Sequence, residues 1–484
     1  MFLASRCRRA GAVLALTLGV LPLRPLTAQI SLAEYAARRD SLAARIQNGV
    51  VIAFGERTPV SDFGPFYQLP AFHYLTGFDE ADEAFVLVAH DGKATSTLFL
   101  TPIATRTAFY YGFRPDSAAT MRLYGIQARS FGALREAVDS LAATGLPVYN
   151  LADYEDADFA RQDSLTRGGQ FIKALTARHA GLVVKDGQAI VNQLRAHKTP
   201  AEIALLTKAA EISSQGHHAV LSMPEPHSEY EIQAVLEYNF TRLGAERVAY
   251  GSIVGAGEDG TELHYMKDRG AAKPGDLVVI DAAGQYQGYA ADVTRTVPVS
   301  GKYTADQRRI YQLVRDAQAA AERNAKAGMS PTAASDSSVE VRAKGLAAMG
   351  LIESADATYD CGQQNPCRQA QIWMIHGISH GLGLAVHDQV QSSRANPAYH
   401  VGDAFTLEPG IYISTKFLDV LPDTPRNRAF IAKVRPVAQR YNNTGVRIED
   451  DYAITDKGLV RMSTAPREIA EIEAIMAKRP TSNK

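Results

Sequence analysis

Five residues in this chain break the rule that apolar strands exclude charge. Asp281 closes the run "LVVI", Asp292 sits in "YAADVTRTV", Glu408 interrupts "AFTLEPGIYI", Glu449 interrupts "GVRIEDDYAI", and His380 lies in the glycine-rich "MIHGISHGLGLAVHD". Carboxylates and imidazoles are depleted in buried apolar runs unless they are paired or bind metal. Singly, each has a dull explanation: a strand-end aspartate caps a turn, and a lone histidine packs in a core or on a surface. Together they form a ligand set, two pairs of strand carboxylates and one imidazole. Four carboxylates confined to one buried site repel one another and take up protons unless cations neutralise them. Two divalent ions carry the matching charge, and metal binding lowers the pKa of water to about 7 in favourable cases. An oxygen-rich set with one imidazole favours manganese, cobalt or zinc over copper or iron-sulfur chemistry.

A purely local alternative is a zinc helix, because His376 and His380 stand four apart, like the histidines of an HExxH site. Gly377, Gly381 and Gly383 make a poor helix interior, and no glutamate follows His376. The carboxylates must therefore come from distant elements, and the rest of the chain has to supply them.

A length of 484 residues with 46% hydrophobic and 21% charged residues is enough for two cores. Fifty-one basic against 52 acidic residues, with no long single-sign run, gives no footprint for nucleic acid. Residues 1–28 combine Arg6, Arg8 and Arg9 with the apolar "AGAVLALTLGVL" and then "PLTA", the pattern of an export signal cut after Ala28. The apolar run is too short to span a bilayer, so no stable membrane insertion is expected, and the mature chain is expected to be periplasmic or secreted. Cys361 and Cys367 in "DCGQQNPC" are then either a small disulfide or two free surface thiols; metal binding is disfavoured without a second Cys/His pair.

Between residues 29 and 180, "SLAEYAARRDSLAARI" has helical spacing, "VVIAF", "EAFVLVA" and "STLFL" read as strands, and helical segments follow near 131–143 and 157–178. This alternation predicts an α/β layer domain. From 181 to 484 the order becomes helices, strands, helices, strands. Thr199, Pro200 and Glu202 form a capping box that opens a long helix, on whose surface His217 and His218 are expected. Further helices are predicted from Ser228, over 304–327 and over 332–348. The two helix-strand blocks are compatible with two similar half-domains around one sheet.

The motifs "VVIDAAGQYQGYAADVTRT", "HGISHGLGLAVHD", "LEPGIYI" and "GVRIEDDYAIT" resemble those of the pita-bread metallopeptidases (M24), the family of methionine aminopeptidase, aminopeptidase P and prolidase. The segment 29–180, with "YAARRDSLAARI" and "FHYLTGF", is similar to the aminopeptidase P N-terminal domain. The resemblance implies an α/β (α+β) chain in which that domain precedes a pita-bread catalytic domain. It implies a dinuclear enzyme cleaving the N-terminal Xaa-Pro bond of peptides with proline second. Asp281 would hold one metal, His380 and Glu408 the other, and Asp292 and Glu449 would bridge, with Mn2+ favoured and Co2+ or Zn2+ as alternatives. Glu408 would double as general base. His264 and His387 would contact the substrate around the scissile bond, His376 would line the prolyl pocket, Arg447 would tie to the metal-site carboxylates, and Tyr412 would lie beside the site. A homo-oligomer, dimer or tetramer, is implied as well.

Three alternatives stay open at this level: a prolidase restricted to Xaa-Pro dipeptides, a metal-free peptide-binding module, and a creatinase-like metal-free hydrolase. Retention of all five ligand types argues against the last two. One departure concerns the first: Ala71 in "QLPAFHYLTGF" stands where the aminopeptidase P pattern carries aspartate, which bears on a cross-domain contact and on peptide length.

Overall fold

The computed structural model describes residues 29–59, 64–151 and 166–480. The expected export signal lies outside the described residues, as does most of the first part of the expected 157–178 helix; the described part, Arg167–Arg178, is helical.

The first domain is built on a six-stranded mixed sheet in the order Gln127–Ser130, Lys93–Leu100, Ala84–His90, Gly49–Phe54, Val148–Asn150, Val184–Asp186. Its central strand reads as an unbroken apolar run because both faces are covered. Val51 and Ala53 face one core with Leu42, Phe72 and Leu75, while Val50, Ile52 and Phe54 face a second core with Leu134, Val138 and Leu175. The edge strand Val184–Asp186 pairs in parallel with Val148–Asn150, so the sheet runs beyond the expected boundary at residue 180.

In the second part, capping boxes at Thr199–Glu202 and Thr304–Gln307 open the helices Pro200–Ser222 and Ala305–Asn324. These pair with Glu229–Arg242 and Pro331–Met349. One correction concerns the first helix: His218 is exposed, but His217 is buried, with its Nε2 2.9 Å from the carbonyl oxygen of Ala282. The helix turns it onto the strand that ends in Asp281. Burial and the nearby Arg295 push the His217 pKa down to about 4, so its ring is neutral at pH 7. The helix Pro425–Arg440 was not foreseen, since Pro436 breaks its pattern; Phe430, Val434 and Ala438 nevertheless give it one buried face. Cys361 and Cys367 are joined in a disulfide. No helix among the described residues is long and apolar enough to cross a membrane.

One core spans both parts. Leu42, Phe72 and Leu75 pack in the same cluster as Leu205, Ala209, Tyr289, Leu382 and Leu384. Ala71 is buried in it, so its position contributes packing where a carboxylate would have offered charge. The seam is pinned by Arg38, whose guanidinium lies 3.4 Å from Glu202 and donates to Tyr289 Oη at 3.3 Å and to the Tyr74 carbonyl at 3.2 Å. Arg38 is 4% exposed and Glu202 2%, so neither charge can fall back on water. Removing one partner of such a pair costs about 3 kcal/mol or more. Arg38→Leu is accordingly expected to lose at least that much stability in urea unfolding, while Arg45→Leu, whose partner Gln193 is exposed, stays near wild type.

Candidate active site

The strands Leu277–Asp281 and Thr294–Pro298 pair antiparallel, with Asp281 opposite Thr294. The small hairpin of Gly284–Tyr286 and Tyr289–Ala290 projects between them. Asp292 therefore lies just before its strand, not within it. A similar break organises the other pair. Leu407 faces Asp450 and Gly410 faces Arg447, but residues 408–409 and 448–449 between these registers have no ladder partners. Glu408 and Glu449 occupy that gap, so the expectation that they lie on strands is corrected: Glu408 follows the strand end at Leu407 by one residue, and Glu449 precedes the strand start at Asp450 by one. The break frees both carboxylates to turn toward Asp281 and Asp292. Glu449 N donates to the Thr294 carbonyl at 3.1 Å, which locks the two halves together at the site.

Nine of the ten expected site residues line one cleft of about 430 Å³: His264, Asp281, Asp292, His376, His380, His387, Glu408, Arg447 and Glu449. Tyr412, the tenth, is buried behind it. His380 Nε2 lies 3.3 Å from Asp292 Oδ2, 3.6 Å from Glu408 Oε1 and 3.9 Å from Glu449 Oε1. Its Nδ1 lies 3.1 Å from the Gly381 carbonyl, the kind of backbone contact that orients a ligating imidazole.

Arg447 braces the far side. It reaches Asp281 Oδ2 and Tyr412 Oη at 2.6 Å each, and its Nε donates to Thr294 Oγ1 at 3.2 Å. Because Tyr412 Oη accepts from Arg447, its own proton is directed to His376 Nε2 at 2.8 Å. The His376 proton then sits on Nδ1, 3.4 Å from Glu408 Oε2. Burial, with Arg447 and Arg342 nearby, holds the His376 pKa down at about 3, keeping the ring neutral.

Sequence reasoning missed three supports. Tyr250 Oη bridges Asp281 Oδ1 at 2.5 Å and Asp292 Oδ1 at 2.6 Å. Thr294 Oγ1 donates to Glu449 Oε2 at 2.7 Å, and both oxygens of Asp451 face Asp292 N at 3.2 Å. Asp451 carried a signal, since it doubles the acid in "IEDD"; Tyr250 carried none that spacing could reveal.

The arrangement fits divalent metal. Asp292, His380 and Glu449 each offer a ligand atom within 4.8 Å of the others. Glu449 Oε1 is a buried acceptor without a hydrogen-bond donor, and leaving such an oxygen unmet is costly. Metal-free, the carboxyls cannot all ionise. Burial raises Asp292 and Glu449 well above the usual carboxylate range, with Asp281 and Glu408 adding to Asp292, and Asp292 and Asp281 adding to Glu449. Burial and Glu449 push Glu408 up to about 8. Burial acts most strongly on Asp281 too, but Arg447 together with the hydrogen bonds from Tyr250 and Asp292 outweighs it and holds that carboxyl low. For His380 burial is outweighed by Glu408 and Glu449, which raise it.

A cation must displace those protons. Metal binding at pH 7 is thus expected to release protons, and affinity to rise as pH increases from 6 to 8, because the raised carboxyls deprotonate in that direction. Calorimetry of Mn2+ binding in buffers of different ionisation enthalpy measures both.

Two family models match the chain: "Metallopeptidase family M24" over residues 204–456 and "Aminopeptidase P, N-terminal domain" over residues 35–149. The chain is 30% identical over 459 residues to the Xaa-Pro aminopeptidase of Escherichia coli (strain K12), covering 93% of this chain and 98% of that protein. It is 28% identical over 486 residues to the Xaa-Pro dipeptidase of Homo sapiens, covering 93% and 94%. Among solved structures it is similar to zinc-substituted E. coli aminopeptidase P in complex with product, with a TM-score of 0.79 at 29% identity over 94% of this chain and all of that one. With the carboxylate-histidine cleft in place, these matches identify the fold as an aminopeptidase P N-terminal domain followed by a catalytic domain, and the chain belongs to the M24 metallopeptidase family.

Proposed function

We propose that this enzyme is an aminopeptidase that removes the first residue from peptides with proline in second position, using two divalent cations, Mn2+ by preference. The likeness to the E. coli Xaa-Pro aminopeptidase supports the Xaa-Pro bond as target. The bond is a tertiary amide without N–H, so an enzyme for it needs shape recognition of the ring in place of that hydrogen bond.

The observation that carries the choice of peptide over dipeptide is the charge of the cleft. Among the described residues lining it, Arg447 is the sole Arg or Lys, and it is committed to Asp281 and Tyr412. A dipeptidase must meet the carboxylate of the C-terminal proline with a cation. No further Arg or Lys lines the cleft for that, and the buried Ala71 adds no charge.

In this reading Asp281 would serve one cation, His380 and Glu408 the other, and Asp292 and Glu449 would be shared. A bound cation pair supplies Lewis acidity toward the scissile carbonyl and lowers the pKa of water. The chain does the rest. Glu408 accepts a proton from the attacking water and passes it to the leaving proline nitrogen. His264 and His387 donate to the oxygen on which charge develops. The neutral His376 ring, fixed by Tyr412 and Arg447, forms a wall for the prolyl ring.

We also propose export, with cleavage after Ala28; the basic and apolar pattern of residues 1–28 supports it, and the Cys361–Cys367 disulfide suits an oxidising compartment. A homo-oligomer belongs to the same reading.

The test offers Xaa-Pro dipeptide and Xaa-Pro-Yaa-Zaa side by side to Mn2+-loaded enzyme, with and without chelator. Release of the first residue from the tetrapeptide alone, abolished by chelator, is expected; dipeptide-only cleavage would mean a prolidase, and cleavage of neither would sink the peptidase reading. Glu408→Gln should lower kcat by about 10²–10⁴-fold with the unfolding midpoint preserved.

A further inference from the structure

The turn that carries His387 is closed by its neighbour. Asp388 N donates to the Gly381 carbonyl at 2.9 Å, and the Asp388 carboxylate accepts from Leu384 N at 3.0 Å and Gln389 N at 2.7 Å. A Cβ on Gly383 would lie 1.8 Å from Asp388 Oδ2, so the carboxylate fills the space inside the turn. The closed turn brings the His387 ring to 4.4 Å from the His380 ring, centroid to centroid, edge to face.

The charge inside that turn is answered from another element. Arg195 Nη2 lies 2.8 Å from Asp388 Oδ1, with side chains 4% and 2% exposed. Arg195 belongs to the helix Gln188–Ala196, which packs against the first-domain helix Leu32–Ile46. Two residues after this helix, the buried Lys198 donates from Nζ to the Gln389 carbonyl at 2.6 Å and from its backbone to the Gly402 carbonyl at 2.8 Å. The inter-domain connector thus grips the returning leg of the turn at consecutive residues, while neither cation lines the cleft.

We propose that Arg195 is a positioning residue for His387: by holding Asp388 inside the turn it fixes the imidazole against the reacting bond, and so ties the domain seam to the chemistry. This rests on the reading of His387 as a substrate-contacting group. An ion pair at this depth has no solvent to replace it, so its loss lets the turn open rather than merely weakening a surface contact. Displacement of a catalytic group by even about 1 Å costs up to about 100-fold in rate.

The test is a double-mutant cycle in the full-length, Mn2+-loaded enzyme. Arg195→Met should lower kcat/KM on an Xaa-Pro-Yaa peptide by about 10–100-fold with Mn2+ affinity retained. In a His387→Ala background the same substitution should cost nothing further, because its effect passes through that ring. Full additivity of the two losses, or a loss of Mn2+ affinity matching the loss of rate, would overturn the proposal. If Arg195→Met does not fold, the pair Arg195→Met with Asp388→Asn, which removes both charges, and Arg195→Lys, which keeps the cation, take its place in the cycle; partial rescue by Lys is expected, and equal loss in both variants counts against the idea. A readout independent of activity separates this proposal from the function it rests on. In the enzyme loaded with diamagnetic Zn2+, the ¹³C ring signal of His387, assigned by its absence in His387→Ala, should shift or broaden in the Arg195 variant while that of His217 stays in place; an unchanged His387 signal refutes the positioning role whether or not the wild type cleaves Xaa-Pro bonds.

Discussion

Four carboxylates share one buried cleft, and most of the surrounding architecture answers the repulsion this creates. Two unit charges about 4 Å apart cost about 4 kcal/mol at an effective dielectric near 20, and Asp281, Asp292, Glu408 and Glu449 accumulate several such terms. The protein meets part of the cost itself. Arg447 neutralises Asp281 directly, and protonated forms of the remaining carboxyls serve until cations displace the protons. Glu449 Oε1, buried without a donor, marks the place where the protein leaves neutralisation to a metal.

A site with this much stored repulsion must be held by its surroundings, and the bracing is continuous. Arg295 uses its guanidinium on the carbonyls of Thr294, Glu449, Ala465 and Pro466 and on Asp450 Oδ1, at 2.6–2.8 Å. Asp450 is held below the usual range despite its burial by Arg295, Arg467 and Arg461. The two acids after Glu449 therefore do opposite jobs: Asp450 anchors the backbone outward, and Asp451 turns inward to the amide of Asp292. Alternation along a strand explains the division, since neighbouring side chains leave on opposite faces.

The first domain enters the same system through the seam. Arg38, Glu202 and Tyr289 form a buried polar cluster inside an otherwise apolar contact, and Tyr289 lies on the hairpin between Asp281 and Asp292. The hairpin that spaces the first carboxylate pair is thus seated against the first domain, and Arg195 extends the contact to the turn of His387. Domain packing and site geometry are one structure here.

Residue types and local order were enough to single out the five ligand-type residues, the capping box at Thr199, the α/β alternation of the first domain and the strand ending at Asp281, because each depends on patterns a few residues long. The same reasoning put His217 on a surface, set Glu408 and Glu449 on strands, missed the helix across Pro436 and overlooked Tyr250. Each of those depended on something no local pattern contains: what a helix packs against, where two registers fail to meet, or which side chain arrives from elsewhere. The sequence by itself determined which groups could hold metal and do acid-base work. Only the tertiary structure decided that Arg447 would reach Asp281 from 166 residues away, that the ladder would open at residues 408–409 and 448–449, and that a connector helix would grip the turn of His387. Burial and ion pairing depend on distance in space, and spacing along a chain encodes that only within one element.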